Sequence, residues 1–262
     1  MTDTVTYSLF NPTGNITLLV ETAVPLEKQP EIAQHLMELE PETEQVGFVS
    51  LAENGVSLRM AGGEFCGNAS MSAAAWWLKQ YGRKENTVLV HVWGTETPVP
   101  VDIREREDDV WEASVQMPFP LSVGEEKFPQ SGMLPIVRFP GIAHVILEDS
   151  TLLVKAESLA PEWCRELGTE ALGLMFLDRK ACTMKPLVWV PAAGTLCWES
   201  SCASGTTAVG AFLYAESGRE TELPLKQPGG TLGIAAKADG RLLLSGRVRF
   251  LRRADSRLRG TE

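Results

Sequence analysis

Two cysteines stand at positions where a thiol could do proton chemistry. The first lies in Gly63-Glu64-Phe65-Cys66-Gly67-Asn68-Ala69-Ser70-Met71-Ser72-Ala73-Ala74-Ala75-Trp76-Trp77-Leu78, a loop running into a helix apolar on nearly every side. A helix without a polar face belongs inside a core. The second, Ser201-Cys202-Ala203-Ser204-Gly205-Thr206-Thr207-Ala208-Val209-Gly210-Ala211-Phe212-Leu213-Tyr214, repeats the design about half a chain later. That spacing points to a duplicated unit. A helix start offers free backbone N–H groups and the positive end of the dipole. A thiol there should ionise more easily than a free one, whose pKa is about 8.5. Gly67, Asn68, Ala203 and Ser204 sit at the offsets where backbone N–H groups could receive a ligand carboxylate.

Two such thiols facing each other across a stereocentre could invert it. One thiolate removes a proton from one face and the opposite thiol delivers a proton to the other. The pair must hold one S⁻ and one SH, so its titration belongs to the pair. The α-proton of an amino acid is a very weak acid, and the carbanion needs fixed donors where its charge develops. Two helix N-termini directed at the carboxylate would supply them without a metal or an organic cofactor.

The flanking segments read as strands and short helices. Strands are expected at Thr4 to Phe10 and Ile16 to Glu21, split by the turn Asn11-Pro12-Thr13-Gly14-Asn15, which makes Asn15 a candidate substrate contact. Pro30 to Leu39 suits an amphipathic helix. Gln45 to Ala52 and Val56 to Met60 should form a hairpin through a type I′ turn at Asn54-Gly55. Gly82 is placed as the C-cap of the first cysteine helix. The Pro-, Gly- and charge-rich run from Pro118 to Gly132 reads as a boundary. It divides an N-terminal half, 1–120, which the tail 249–262 could join, from a C-terminal half, 121–248. The second half adds a helix from about Pro161 to Leu167, the second cysteine helix ending near Gly218, and a hairpin turn at Asp239-Gly240. The tail carrying Arg247, Arg249, Arg252, Arg253, Arg257 and Arg259 reads as a solvated, frayed end.

Composition narrows the function class. The chain has 262 residues, enough for one large or two medium cores, and a formal net charge of −10. That charge argues against nucleic acid or an anionic membrane as partner. No apolar run is long enough to span a bilayer, and the N-terminal stretch lacks the pattern of a signal peptide. Five cysteines in a chain of this size do not form a disulfide framework, which points to a reducing, cytoplasmic setting. No cysteine–histidine spacing fits zinc and no phosphate loop is present. A small-molecule substrate is the expected partner, and a homodimer is compatible with the sequence.

Glu64-Phe65-Cys66-Gly67-Asn68-Ala69 and Glu199-Ser200-Ser201-Cys202-Ala203-Ser204-Gly205-Thr206 resemble the paired cysteine motifs of the diaminopimelate epimerase family. Gly14-Asn15, Val46-Gly47-Phe48, His144 and Gly229-Gly230 fall at recurring family positions, so the likeness covers nearly the whole chain. It implies an α/β (α+β) fold of two pseudo-symmetric halves, each with mixed strands curled around a central helix. It also implies a cofactor-independent racemase or epimerase, and places Glu199 among the substrate-binding residues. The sequence departs from the family where the distal end of diaminopimelate would be held. Val190-Pro191 replaces an expected Glu-Arg pair, and Ile142 and Leu172 replace expected asparagines. No cation remains there for a second carboxylate.

A closer resemblance is to the histidine racemases of opine-type, staphylopine-like metallophore biosynthesis. It rests on Asn11-Pro12-Thr13-Gly14-Asn15, Glu44-Gln45-Val46-Gly47-Phe48, Glu64-Phe65-Cys66-Gly67-Asn68 and Gln227-Pro228-Gly229-Gly230. It implies L-histidine to D-histidine as the reaction, with Glu44 meeting the substrate side chain, since a carboxylate can hydrogen-bond an imidazole N–H. A racemase of another amino acid, a proton-shifting isomerase of a non-amino organic acid and a non-catalytic amino-acid-binding protein are the alternatives. His144 could contact substrate or support a turn through a hydrogen bond.

Overall fold

A computed structural model describes residues 4–81, 86–93, 95–129 and 131–258. The elements of the first part of the chain are β1 (Thr4–Pro12), β2 (Thr17–Val20), α1 (Gln29–Leu39), β3 (Gln45–Ala52), β4 (Gly55–Met60), α2 (Gly67–Tyr81), β5 (Thr87–Val92), β6 (Val99–Glu107) and β7 (Val110–Met117). The second part adds β8 (Ser122–Phe128), β9 (Gly132–Phe139), β10 (Ile142–Leu147), α3 (Ala156–Leu167), β11 (Leu172–Asp178), β12 (Thr183–Val190), β13 (Thr195–Trp198), α4 (Ala203–Ser217), β14 (Thr221–Gln227), β15 (Gly230–Ala236) and β16 (Leu242–Arg257). Two compact units form: Met1–Val115 with Ser245–Glu262, and Gln116–Leu244.

In the first unit the strands follow the order β1-β2-β3-β4-β5-β6-β7-β16, and β16 pairs again with β1. The sheet is therefore closed, and closure removes the unpaired edges that an open sheet exposes. The helix inside explains the composition of α2. It packs against β1, β2, β4, β5 and β6, and Gly67 through Leu78 are all buried. Alanine, serine and glycine dominate its first turns because strands on several sides leave little width. Serine is tolerated at this depth because each hydroxyl finds a carbonyl one turn back: Ser70 Oγ donates to Cys66 O at 2.8 Å and Ser72 Oγ to Asn68 O at 3.0 Å.

The second unit repeats the pattern. β9–β10, β11–β12 and β14–β15 are antiparallel while β10–β11 and β12–β14 are parallel. The matching antiparallel pairs in the first unit are β1–β2, β3–β4 and β5–β6, and the parallel ones β2–β3 and β4–β5. Helix α4 packs against β8, β9, β10, β11, β14 and β15. It ends at Gly218, whose φ of 64° supplies the left-handed cap. Each unit is thus a mixed sheet around one central helix, the diaminopimelate epimerase-like architecture. Helix α3 covers the outside of its sheet through Trp163, which is fully buried with its ring 4.5 Å from that of Phe128.

Several local expectations are corrected. The β3–β4 hairpin forms, but Ala52 pairs with Gly55, so the turn residues are Glu53 and Asn54. Neither is among the residues with positive φ, so the turn is not type I′. Gly55 is required for another reason. Its φ is +141°, and a Cβ there would stand 2.0 Å from the backbone oxygen of Leu89 on β5. Gly55→Ala should therefore cost about 3 kcal/mol from backbone strain and the clash. A thermal melt should show a fall of roughly 5–10 °C; an unchanged melting temperature would contradict the close approach.

The run from Pro118 to Gly132 is not merely a connector, since it contains β8, paired with β9 from Ser122↔Arg138 to Phe128↔Gly132. Helix α3 begins at Ala156, five residues before Pro161, which lies inside it. The helix loses one backbone bond there and continues. The Asp239-Gly240 turn is a longer loop, with Lys237 N bonded to Arg241 O at 2.9 Å. The arginine-rich tail is not frayed: β16 pairs with β1 from Pro12↔Val248 to Thr4↔Arg257. Arg252 forms ion pairs with Glu40 and Glu42, and Arg253 with Glu21 at 2.8 Å. Gly82 and Arg259 lie outside the described residues.

Candidate active site

In the first unit Cys66 immediately precedes α2 and caps it. Its carbonyl accepts Ser70 N–H at 2.9 Å, and its sulfur accepts Ala69 N–H at 3.4 Å. The thiol donates to Gln45 Oε1 at 2.9 Å. Gln45 Nε2 donates to Asn15 Oδ1 at 2.5 Å and to Thr17 Oγ1 at 2.7 Å. Asn15 Nδ2 donates to Glu44 Oε2 at 2.6 Å. Three of the residues singled out by sequence, Asn15, Glu44 and Cys66, are therefore joined through Gln45. Gly67 and Asn68 are buried in the first turn of α2, and the side-chain oxygen of Asn68 is buried without a partner. It retains acceptor capacity that a ligand N–H could use.

The second unit builds the same cap from different neighbours. Cys202 is the N-cap of α4, in extended conformation, and its sulfur accepts Gly205 N–H at 3.4 Å. Thr206 Oγ1 donates to Cys202 O at 2.6 Å, as Ser70 does to Cys66. Gln227 clamps the backbone: its Oε1 accepts Cys202 N–H at 2.9 Å and its Nε2 donates to Thr206 Oγ1 at 2.8 Å. Ser204 Oγ lies 3.6 Å from the sulfur, and the Glu199 side chain hydrogen-bonds the thiol. Ala203 is buried beside it. Glu199, Cys202, Ala203 and Ser204 thus gather at one helix start.

The expectation of easily ionised thiols is overturned. Cys66 is only half-buried, but desolvation by the surrounding protein pushes its thiol up to about 12, and the nearby Glu64 carboxylate adds to the rise; N–H groups at the helix start, and the Gln45 side chain where it donates, pull the other way and lose. Burial also drives Cys202 well above the usual thiol range, with the charge of Glu199 reinforcing it. The desolvation cost of a buried thiolate outweighs two or three donors when no cation stands beside it.

Sequence reading did not single out Gln45 and Gln227. The available signal was that both lie within the short segments that carried the resemblance. His144 is also corrected: it supports no turn, because both ring nitrogens are buried without a partner, and the ring packs edge-on against Phe139. Burial holds its pKa down at about 3, so it is neutral. Among the described residues no cluster of three or more His, Cys, Asp or Glu is arranged to hold a metal ion. Among them, too, no helix is long and apolar enough to cross a membrane.

Comparison of the sequence with known proteins points to one group. A family model described as the histidine racemase CntK N-terminal domain matches residues 4–249. A histidine racemase of Fusobacterium nucleatum is 35% identical over 213 residues, covering 78% of each chain. One from Staphylococcus aureus is 27% identical over 246 residues, 89% of each. Among solved structures, a predicted epimerase from Pseudomonas aeruginosa superposes with a TM-score of 0.73 at 15% identity, covering 96% of this chain and 99% of that one. At that identity the superposition establishes the fold alone. With a family model spanning nearly all of its length and a relative above 30% identity, the chain belongs to the histidine racemase family and is an isomerase.

Proposed function

We propose that this protein racemises histidine by a two-base mechanism in which Cys66 and Cys202 serve as the two proton carriers. The observation that supports it most is the duplicated cap: in each unit a thiol accepts the third helical N–H at 3.4 Å, in a chain 35% identical to a histidine racemase. The reading requires the two sulfurs to address opposite faces of one α-carbon. The N–H groups of Gly67, Asn68, Ala203 and Ser204 then serve the substrate carboxylate, where carbanion charge accumulates. Asn15 and Glu44 meet the side chain, Glu44 accepting the imidazole N–H. Glu199 lies against the Cys202 thiol and can relay its proton.

Proton transfer to and from carbon here needs no cofactor in this reading, because both charge carriers and charge stabilisers come from the chain. The physiological setting that fits is D-histidine supply for an opine-type metallophore in the cytoplasm. The test is incubation of the purified protein with L-histidine in D₂O without pyridoxal phosphate. D-histidine should form, carrying α-deuterium. Silence toward histidine under reducing conditions, with exchange in another amino acid, would move the specificity elsewhere; silence toward every amino acid would remove the racemase reading.

A further inference from the structure

We propose that Gln45 is the positioning residue that fixes Cys66 as a hydrogen-bond donor, and that Glu44, acting through Asn15, sets the orientation of the Gln45 amide. This rests on the role given to Cys66 above. The logic runs from the far end of the chain of bonds. The Glu44 carboxylate can only accept, and it receives Asn15 Nδ2. Asn15 must therefore turn its oxygen toward Gln45, where it accepts one N–H of the amide. The other N–H goes to Thr17 Oγ1, whose own hydrogen is committed to Asn15 O at 3.1 Å. Both donors of Gln45 are occupied, so only Oε1 faces the sulfur.

An amide that donated to the sulfur would pull the thiol down, but in the orientation fixed by Asn15 and Thr17 the Gln45 carbonyl accepts from the thiol, which stabilises S–H and opposes the thiolate. Reversing Gln45 requires Asn15 to reverse too, which would set its oxygen against the Glu44 carboxylate. Asn15 is buried and Glu44 half-buried, so water reaches that contact only from the Glu44 side. The constraint is lifted only when the group at position 44 can itself donate a hydrogen to Asn15 Oδ1, as a protonated carboxyl or an amide can. The titratable groups that bear on the thiol are Glu64 on its own loop and Glu44 at the end of this network. In the other unit the arrangement differs: Gln227 holds the Cys202 backbone N–H, and it is the Glu199 side chain that hydrogen-bonds the thiol.

The test is the rate of iodoacetamide alkylation at pH 8, resolved for each cysteine by peptide mass spectrometry. Gln45→Met removes the acceptor and should speed Cys66 alkylation about tenfold, one pKa unit. Glu44→Gln, which lets Asn15 turn, should speed it in the same direction. Gln45→Glu adds a charged acceptor and should slow it about tenfold. Cys202 should not change in any of them. Loss of packing would speed both Gln45 variants, so opposite signs identify the hydrogen bond. Shifts of one sign in both, or none at Cys66, would overturn the proposal. If a Gln45 variant fails to fold, an unchanged rate in Glu44→Gln overturns it alone. Alkylation requires no turnover, so a protein inert toward histidine could still show these shifts, and an active racemase could lack them.

Discussion

Cys66→Ser and Cys202→Ser should each reduce racemisation by at least about 10³-fold, the upper part of what a positioned acid or base contributes. In the proposed mechanism each direction of inversion uses one sulfur to remove a proton and the other to return one, so neither cysteine is redundant. Serine preserves the local structure. At Cys202 it remains a favoured N-cap for the Gly205 N–H, and at Cys66 the hydroxyl can still reach Gln45 Oε1. Loss of activity would therefore report proton transfer, not unfolding. The two variants should also differ in a diagnostic way. Each retains one sulfur base, so in D₂O each should slowly exchange the α-hydrogen of one enantiomer without inverting it, and the two variants should exchange opposite enantiomers. Chiral chromatography coupled to mass spectrometry reads both quantities. A single variant that racemises at near wild-type rate would remove the two-base assignment.

What the sequence disclosed and what it hid follow from the same physics. Helices α2 and α4 were legible because a helix lacking a polar face has only one place to go, and small residues on every side mark a crowded one. The pairing of β3 with β4 was legible from alternation and a turn signal. Its turn type was not, because Gly55 answers to the carbonyl of Leu89 on a neighbouring strand and not to its own hairpin. The part of strand β16 beyond Val248 was hidden by its arginines. On a strand whose outer face is wet, charged side chains alternate with those that pack, and the run resembles a solvated tail until the partners Glu21, Glu40 and Glu42 are seen. The thiol environment was misjudged because a helix start is visible in sequence and the depth of its burial is not. Gln45 escaped notice because a neutral amide at the head of a strand has no distinctive pattern; its meaning lies in the direction of three hydrogen bonds.

That burial carries the second large prediction. Both thiols are raised, so near neutral pH the free protein holds almost all of each as S–H. Under the two-base proposal catalysis in either direction needs one thiolate, and its fraction rises tenfold per pH unit below the pKa. The sign is therefore fixed: kcat/KM for histidine should climb with pH, by about 100-fold between pH 7 and pH 9, with no plateau at the ordinary thiol value of about 8.5. The rise should end where the substrate ammonium loses its proton, or where both sulfurs ionise and no acid remains. Because the enantiomers are equal in energy, kcat/KM must be the same for L- and D-histidine at every pH, which gives an internal check on the profile. A curve already flat at pH 7 would mean that one thiol of the free protein is ionised below that pH, because kcat/KM reports the free enzyme. Burial alone would then no longer describe the working site.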